Sequence, residues 1–154
     1  MIRDHLLAVS GLLDLSRGGE SVPTIEHGPG PYIIDPEHPG RYRRSVYITT
    51  QRSSQPAILK TFDGPVMETN WPRRSSSTVA PQALTLMNHS FTMDMARFFA
   101  ERLEKDAGDD VAAQVDRAFT LAFARPPTSD ERALAVEFIA AHGPRAFCRA
   151  LLNA

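Results

Sequence analysis

The chain has 154 residues, 42% hydrophobic and 23% charged, which is enough for one domain-sized core and unlike a disordered composition. Lys+Arg 17 against Asp+Glu 18 gives a formal charge of -1, which supplies no global pull toward nucleic acid or anionic lipid. The single cysteine, Cys148, excludes an internal disulfide and a cysteine-rich zinc site, and no stretch approaches the ~18 apolar residues of a membrane span.

The opening segment "IRDHLLAVSGLLDL" sets Leu6, Leu7, Val9, Leu12 and Leu13 on one broad face, predicting a helix that Gly18-Gly19 stops. No capping residue stands ahead of it, so native sequence is expected upstream. From residue 20 to about 41 the chain is rich in proline and glycine, with Pro23, Pro29, Pro31, Pro36 and Pro39 forbidding a regular helix. "RRSVYITTQR", residues 43–52, is rich in β-branched and aromatic side chains and is the segment expected to form a strand. Irregular backbone is expected from there to Arg74.

Beyond that point the pattern is helical. "APQALTLM" begins with Pro81 near its first turn, with Thr78 as the expected cap and Asn88 as the stop. Ser90 is the expected cap of "FTMDMARFFAERLEKDAG", where Met95, Phe99 and Leu103 recur at four-residue spacing and Gly108 closes the helix. Asp109 is expected to open the next helix, whose Val111, Val115, Ala118, Phe119 and Ala122 form a stripe. Thr128 and Glu131 have capping-box spacing, with Leu134, Phe138 and Ile139 expected on the inward face that follows. Gly143-Pro144 separates a last helix. The expected fold is mainly α: a bundle of short helices with a short strand or hairpin and long ordered loops in the N-terminal half. A single domain over 1–154 is expected, loop-rich over 1–74 and helical over 75–154.

Signals for chemistry are sparse. His27, Asp35, Glu37 and His38 share one loop but match no rigid ligand spacing, so no metal site is assigned. There is no Gly-x-Ser-x-Gly elbow, and Cys148 sits at an apolar helical position, where cysteine acts as a small hydrophobe. Two arginine pairs, Arg43-Arg44 and Arg73-Arg74, stand out. A guanidinium pairs bidentately with carboxylates or with several carbonyls, and an irregular half-chain leaves many carbonyls needing donors. One arginine of each pair is therefore expected to staple loops internally, with Arg44 and Arg74 as the staples and Arg43 and Arg73 toward solvent. The rival reading is a basic patch for an anionic glycan, a phosphate or an acidic partner.

"RRSVYITTQRS", "TFDGP" and "RSSSTVAPQALTLMN" taken together resemble the planctomycete-type domain of unknown function 1553, and the likeness continues through "AFTLAFARPPTSDE" and "CRALLNA". The residues that recur in that family fall here on Arg43, Arg44, Ser45, Tyr47, Phe62, Asp63, Arg74, Thr78, Pro81, Gln82 and Asn88. Ser77-Thr78 stands where a Thr-Thr pair is commoner, which keeps both hydroxyls. The resemblance implies a C-terminal module of a large exported bacterial protein, truncated here at both ends, with a cytochrome-c-like haem domain often upstream. No Cys-x-x-Cys-His motif is present, so haem is expected only in other domains and this chain is expected to hold no cofactor.

Two functional expectations follow. The first is a non-catalytic structural or interaction module, extracytoplasmic by resemblance, whose partners are other domains of the same polypeptide, a polysaccharide or an acidic protein. The second is a carbohydrate-active or hydrolase-type enzyme with a loop site around Arg44, Asp63 and Arg74. Tyr47, Thr78, Gln82 and Asn88 complete the candidate ligand or motif residues in either case. Nucleic acid is disfavoured by the charge balance and by the lack of aromatic residues interleaved with basic ones.

Overall fold

The computed structural model describes residues 2–26, 32–50, 55–62, 64 and 80–154. His27, Asp63, Arg73, Arg74 and Thr78 lie outside the described residues. The chain forms two units, Met1–His5 with Leu13–Thr85, and Leu6–Leu12 with Leu86–Ala154. The described residues are mainly helical, with a small antiparallel hairpin.

The first helix, α1 (Ile2–Ser10), ends well before Gly18-Gly19. Two features stop it. Gly11 takes φ +81°, a left-handed conformation that favours glycine, and a Cβ there would meet Arg102 Cδ at 3.2 Å. The Arg102 guanidinium then donates to the Ala8 and Val9 carbonyls of the last turn at 2.9 and 2.8 Å.

In the loop-rich unit the strands are not where the β-branched run suggested. β1 (Thr24–Glu26) pairs antiparallel with β2 (Tyr32–Ile34), matching Thr24 to Ile34, Ile25 to Ile33 and Glu26 to Tyr32. Both are short proline-free runs of β-forming residues, and the neighbouring Pro23 and Pro36 fall outside the ladder, where their missing N–H is harmless. The expected strand over 43–52 is instead a 3-10 turn at Ser45–Tyr47, flanked by isolated parallel bridges, Asp14 with Arg43 and Val22 with Ile48. The physical reason is a competing acceptor. The Asp4 carboxylate takes both the Ser45 N–H at 2.8 Å and its hydroxyl at 2.5 Å, so Ser45 turns toward α1 rather than joining a ladder. Val46, at the middle of the turn, is 72% exposed. A short helix unforeseen in the sequence, α2 (Ala57–Thr61), follows Pro56 and buries Ile58 and Leu59. Next in the described chain comes α3 (Ala80–Asn88), which buries none of its side chains.

The second unit is built on α4 (Ser90–Ala107), α5 (Val111–Phe123), α6 (Ser129–His142) and α7 (Pro144–Leu151). α4 packs on α5 and α7, and α6 packs on the same two, so the four close on themselves. Met95, Phe99 and Leu103 of α4 are all buried, as are Val115, Ala118 and Phe119 of α5 and Phe147, Cys148 and Leu151 of α7. The capping box of Thr128 and Glu131 forms at the start of α6, and Gly108 closes α4. Three local expectations are corrected. His89, not Ser90, caps α4, its ring nitrogen accepting the Phe91 N–H. Asp110, not Asp109, caps α5 by accepting from the Ala112 and Ala113 N–H groups. On α6 the inward residues are Ala135 and Ile139, while Leu134 and Phe138 are 67% and 38% exposed. No helix among the described residues is long and apolar enough to cross a membrane.

Candidate functional site

The polar convergence of the loop-rich unit centres on α1 and residues 41–47. Arg3 projects from the first turn of α1 and is almost fully buried. Its guanidinium donates to the Arg43 carbonyl at 2.9 Å, the Arg41 carbonyl at 2.6 Å and the Ser45 hydroxyl at 3.2 Å. Burial pushes the Arg3 pKa down to about 10, with the neighbouring Asp4 charge opposing the shift. Even so displaced, it stays protonated at neutral pH. Asp4 lies 3.6 Å from that guanidinium and holds Ser45 from the other side. Ser45 is thus fixed and buried between a guanidinium that donates to it and a carboxylate that accepts from it, which suits a structural hydroxyl rather than an exposed nucleophile.

Arg43 repeats the device. It is buried, donates to the Glu20 carbonyl at 2.9 Å and to the Gly18 carbonyl, and lies 3.9 Å over the Tyr47 ring. The Tyr47 hydroxyl in turn accepts the Gly18 N–H at 3.1 Å. One guanidinium and one phenol therefore satisfy a loop that has no ladder of its own. The sequence reading gave this task to Arg44 and turned Arg43 outward; the structure reverses them. Arg44 is the exposed residue ahead of the 3-10 turn, with extended backbone at φ -54° and ψ 146°. Arg43 instead sits in the bridge with Asp14, which carries it inward.

The other candidates separate. Gln82 donates its amide nitrogen to the Thr61 carbonyl at the end of α2, 3.1 Å away. Asn88 is the exposed last residue of α3. Phe62 is half-buried beside α2. Asp63, Arg74 and Thr78 lie outside the described residues, so the proposed grouping of Arg44, Asp63 and Arg74 has only its exposed Arg44 in view. Asp35 and His38 are engaged locally, accepting from the Glu37 and Gly40 N–H groups at 2.9 and 3.0 Å. No cluster of metal-ligating side chains occurs among the described residues. Burial pushes the Cys148 thiol up to about 12, far from a reactive thiolate.

Arg3 and Asp4 were overlooked in the sequence. The signal was present: Arg3 shares a helical face with Leu6 and Leu7, three and four residues on, and a charge on an apolar stripe asks for a buried partner.

The chain belongs to the family described as Protein of unknown function (DUF1553), which matches residues 1–139. No curated protein and no solved structure matches it.

Proposed function

We propose that this member of the DUF1553 family is a non-catalytic structural or interaction module of a larger exported bacterial protein. The observation that carries the reading is the engagement of Arg3 and Arg43. Both guanidiniums are buried and donate to main-chain carbonyls of their own unit. Groups so engaged hold loops in place; they have no proton to exchange at neutral pH and no open face for a substrate. The exposed Arg44 is the member of its pair left for an outside partner, such as an acidic surface of a neighbouring domain or an anionic polysaccharide.

The test is a screen of the purified chain on ester, phosphate, sulfate and glycoside substrates, run beside Arg44→Ala and Asp63→Asn. The expected result is no turnover above a mock preparation. Turnover that either substitution abolishes would overturn the proposal and make the loop-rich unit an enzyme.

A further inference from the structure

On α4 and α7 two sulfurs are shut away from water and one is open. Met95 is 1% exposed and its sulfur accepts the Ser10 hydroxyl at 3.2 Å, and the Cys148 thiol is buried. Met93 is 40% exposed, and its sulfur accepts an N–H of Arg149 at 3.8 Å, across the contact between α4 and α7. We propose that Met93 is an oxidation site: its thioether takes oxygen from a hydroperoxide, and Arg149 captures the sulfoxide, so that the change ties the two helices more tightly.

Arg149 is a strong donor set against a weak acceptor. A guanidinium offers five N–H groups, whereas a thioether sulfur accepts only weakly. The bond to Met93 is the one hydrogen bond that Arg149 makes among the described residues, and its side chain is half-buried. A charged donor so placed gains when its acceptor improves.

Oxidation supplies that improvement. The sulfur lone pair attacks the O–O bond of the hydroperoxide, an S–O bond forms and the O–O bond breaks. The proton of the transferred oxygen passes to the departing one, which leaves as water or an alcohol; sulfur gives up two electrons and the peroxide takes them. The product is a polar sulfoxide whose oxygen reaches beyond the sulfur toward the guanidinium and accepts far more strongly. In a closed core the same change is disruptive. Met95 shows why, since an oxygen on its sulfur has to displace the Ser10 hydroxyl among packed side chains. At Met93 the new dipole meets a cation on one side and water on the other. Met87 on α3 is exposed as well, and no hydrogen bond reaches its sulfur among the described residues, which makes it an internal control.

The proposal goes beyond the interaction-module reading and does not depend on it. The folded chain is treated with hydrogen peroxide, and fragment-ion mass spectrometry locates the added oxygen. Sulfoxide is expected at Met93 and Met87, with Met95 unmodified. Thermal melts before and after treatment are then compared for the parent, Met93→Leu and Arg149→Ala. Arg149→Leu, which keeps apolar bulk without donors, serves the same comparison should the alanine variant not fold. Oxidation should move the parent's melting temperature upward relative to its effect on Met93→Leu, by about 2 °C or more, as one improved hydrogen bond does at this size. That difference should vanish or reverse without Arg149, and methionine sulfoxide reductase should return the parent to its starting value. An unmodified Met93, sulfoxide at Met95 in the folded chain, or a parent shift no higher than that of Met93→Leu would overturn the proposal. A rise that persists without Arg149 would overturn the capture of the sulfoxide by that residue.

Discussion

Arg43 and Arg44 are adjacent in sequence and opposite in fate. One buried guanidinium completes the 18–20 loop while its neighbour stands in solvent. Removing Arg43 strands the Glu20 and Gly18 carbonyls and uncovers the Tyr47 ring, so Arg43→Ala should cost ~2–3 kcal/mol. Arg3→Ala removes a charge that answers two carbonyls and a hydroxyl and leaves Asp4 without its nearby cation; ~3–5 kcal/mol is expected. Arg44→Ala should stay within about 0.5 kcal/mol, as an exposed substitution does. Urea denaturation of the three variants measures all three values, and an Arg44→Ala cost equal to that of Arg43→Ala would reverse the assignment. The sequence made the pair conspicuous but could not say which member turned inward. Which one does is decided by the bridge at Arg43 and the 3-10 turn after Arg44, and neither is written in the local pattern.

At the scale of the elements, the helical half was legible because period and punctuation agreed: Met95, Phe99 and Leu103 mark the inner face of α4, and Thr128 with Glu131 marks the start of α6. The loop-rich half was legible in composition but not in detail. Its strands are three residues each, too short for alternation to register, and the partner that bends the chain at Ser45 lies 41 residues away on α1. α6 misled because its apolar residues are spread around the helix among polar ones rather than gathered on one face, so the pattern could not single out Ala135 and Ile139 as the inward residues. The His89 cap carries a pH dependence. Its neutral ring accepts the Phe91 N–H, and burial lowers its pKa below the usual histidine value. The folded pKa being depressed, the stabilisation is fully present above the unfolded pKa of ~6.5 and is lost as pH falls through the folded value. His89→Asn keeps a capping acceptor that does not titrate. Thermal melts between pH 7.5 and 5 should therefore show the parent losing stability faster than His89→Asn, and parallel curves would contradict the titrating cap.

For the whole molecule, the account holds that the described residues of the loop-rich unit form a fixed, internally hydrogen-bonded scaffold, although many of them lie outside helix and strand. Hydrogen exchange at single amides tests this most directly, because it reads whether N–H groups outside regular structure are closed to water. The informative amides are Asp14, which donates to Tyr42 at 3.1 Å, Val22 to Tyr47 at 2.7 Å, Ser45 to Asp4 at 2.8 Å, and Thr49 to Val22 at 2.8 Å. The account predicts that each exchanges at least ~100-fold more slowly than an unstructured amide, a local stability of ~2.7 kcal/mol or more. It predicts further that Arg43→Ala speeds exchange at Val22 and Asp14 while leaving the inner face of α5 unchanged. Exchange of these loop amides at unstructured rates in the parent chain, with the helical unit protected, would contradict it.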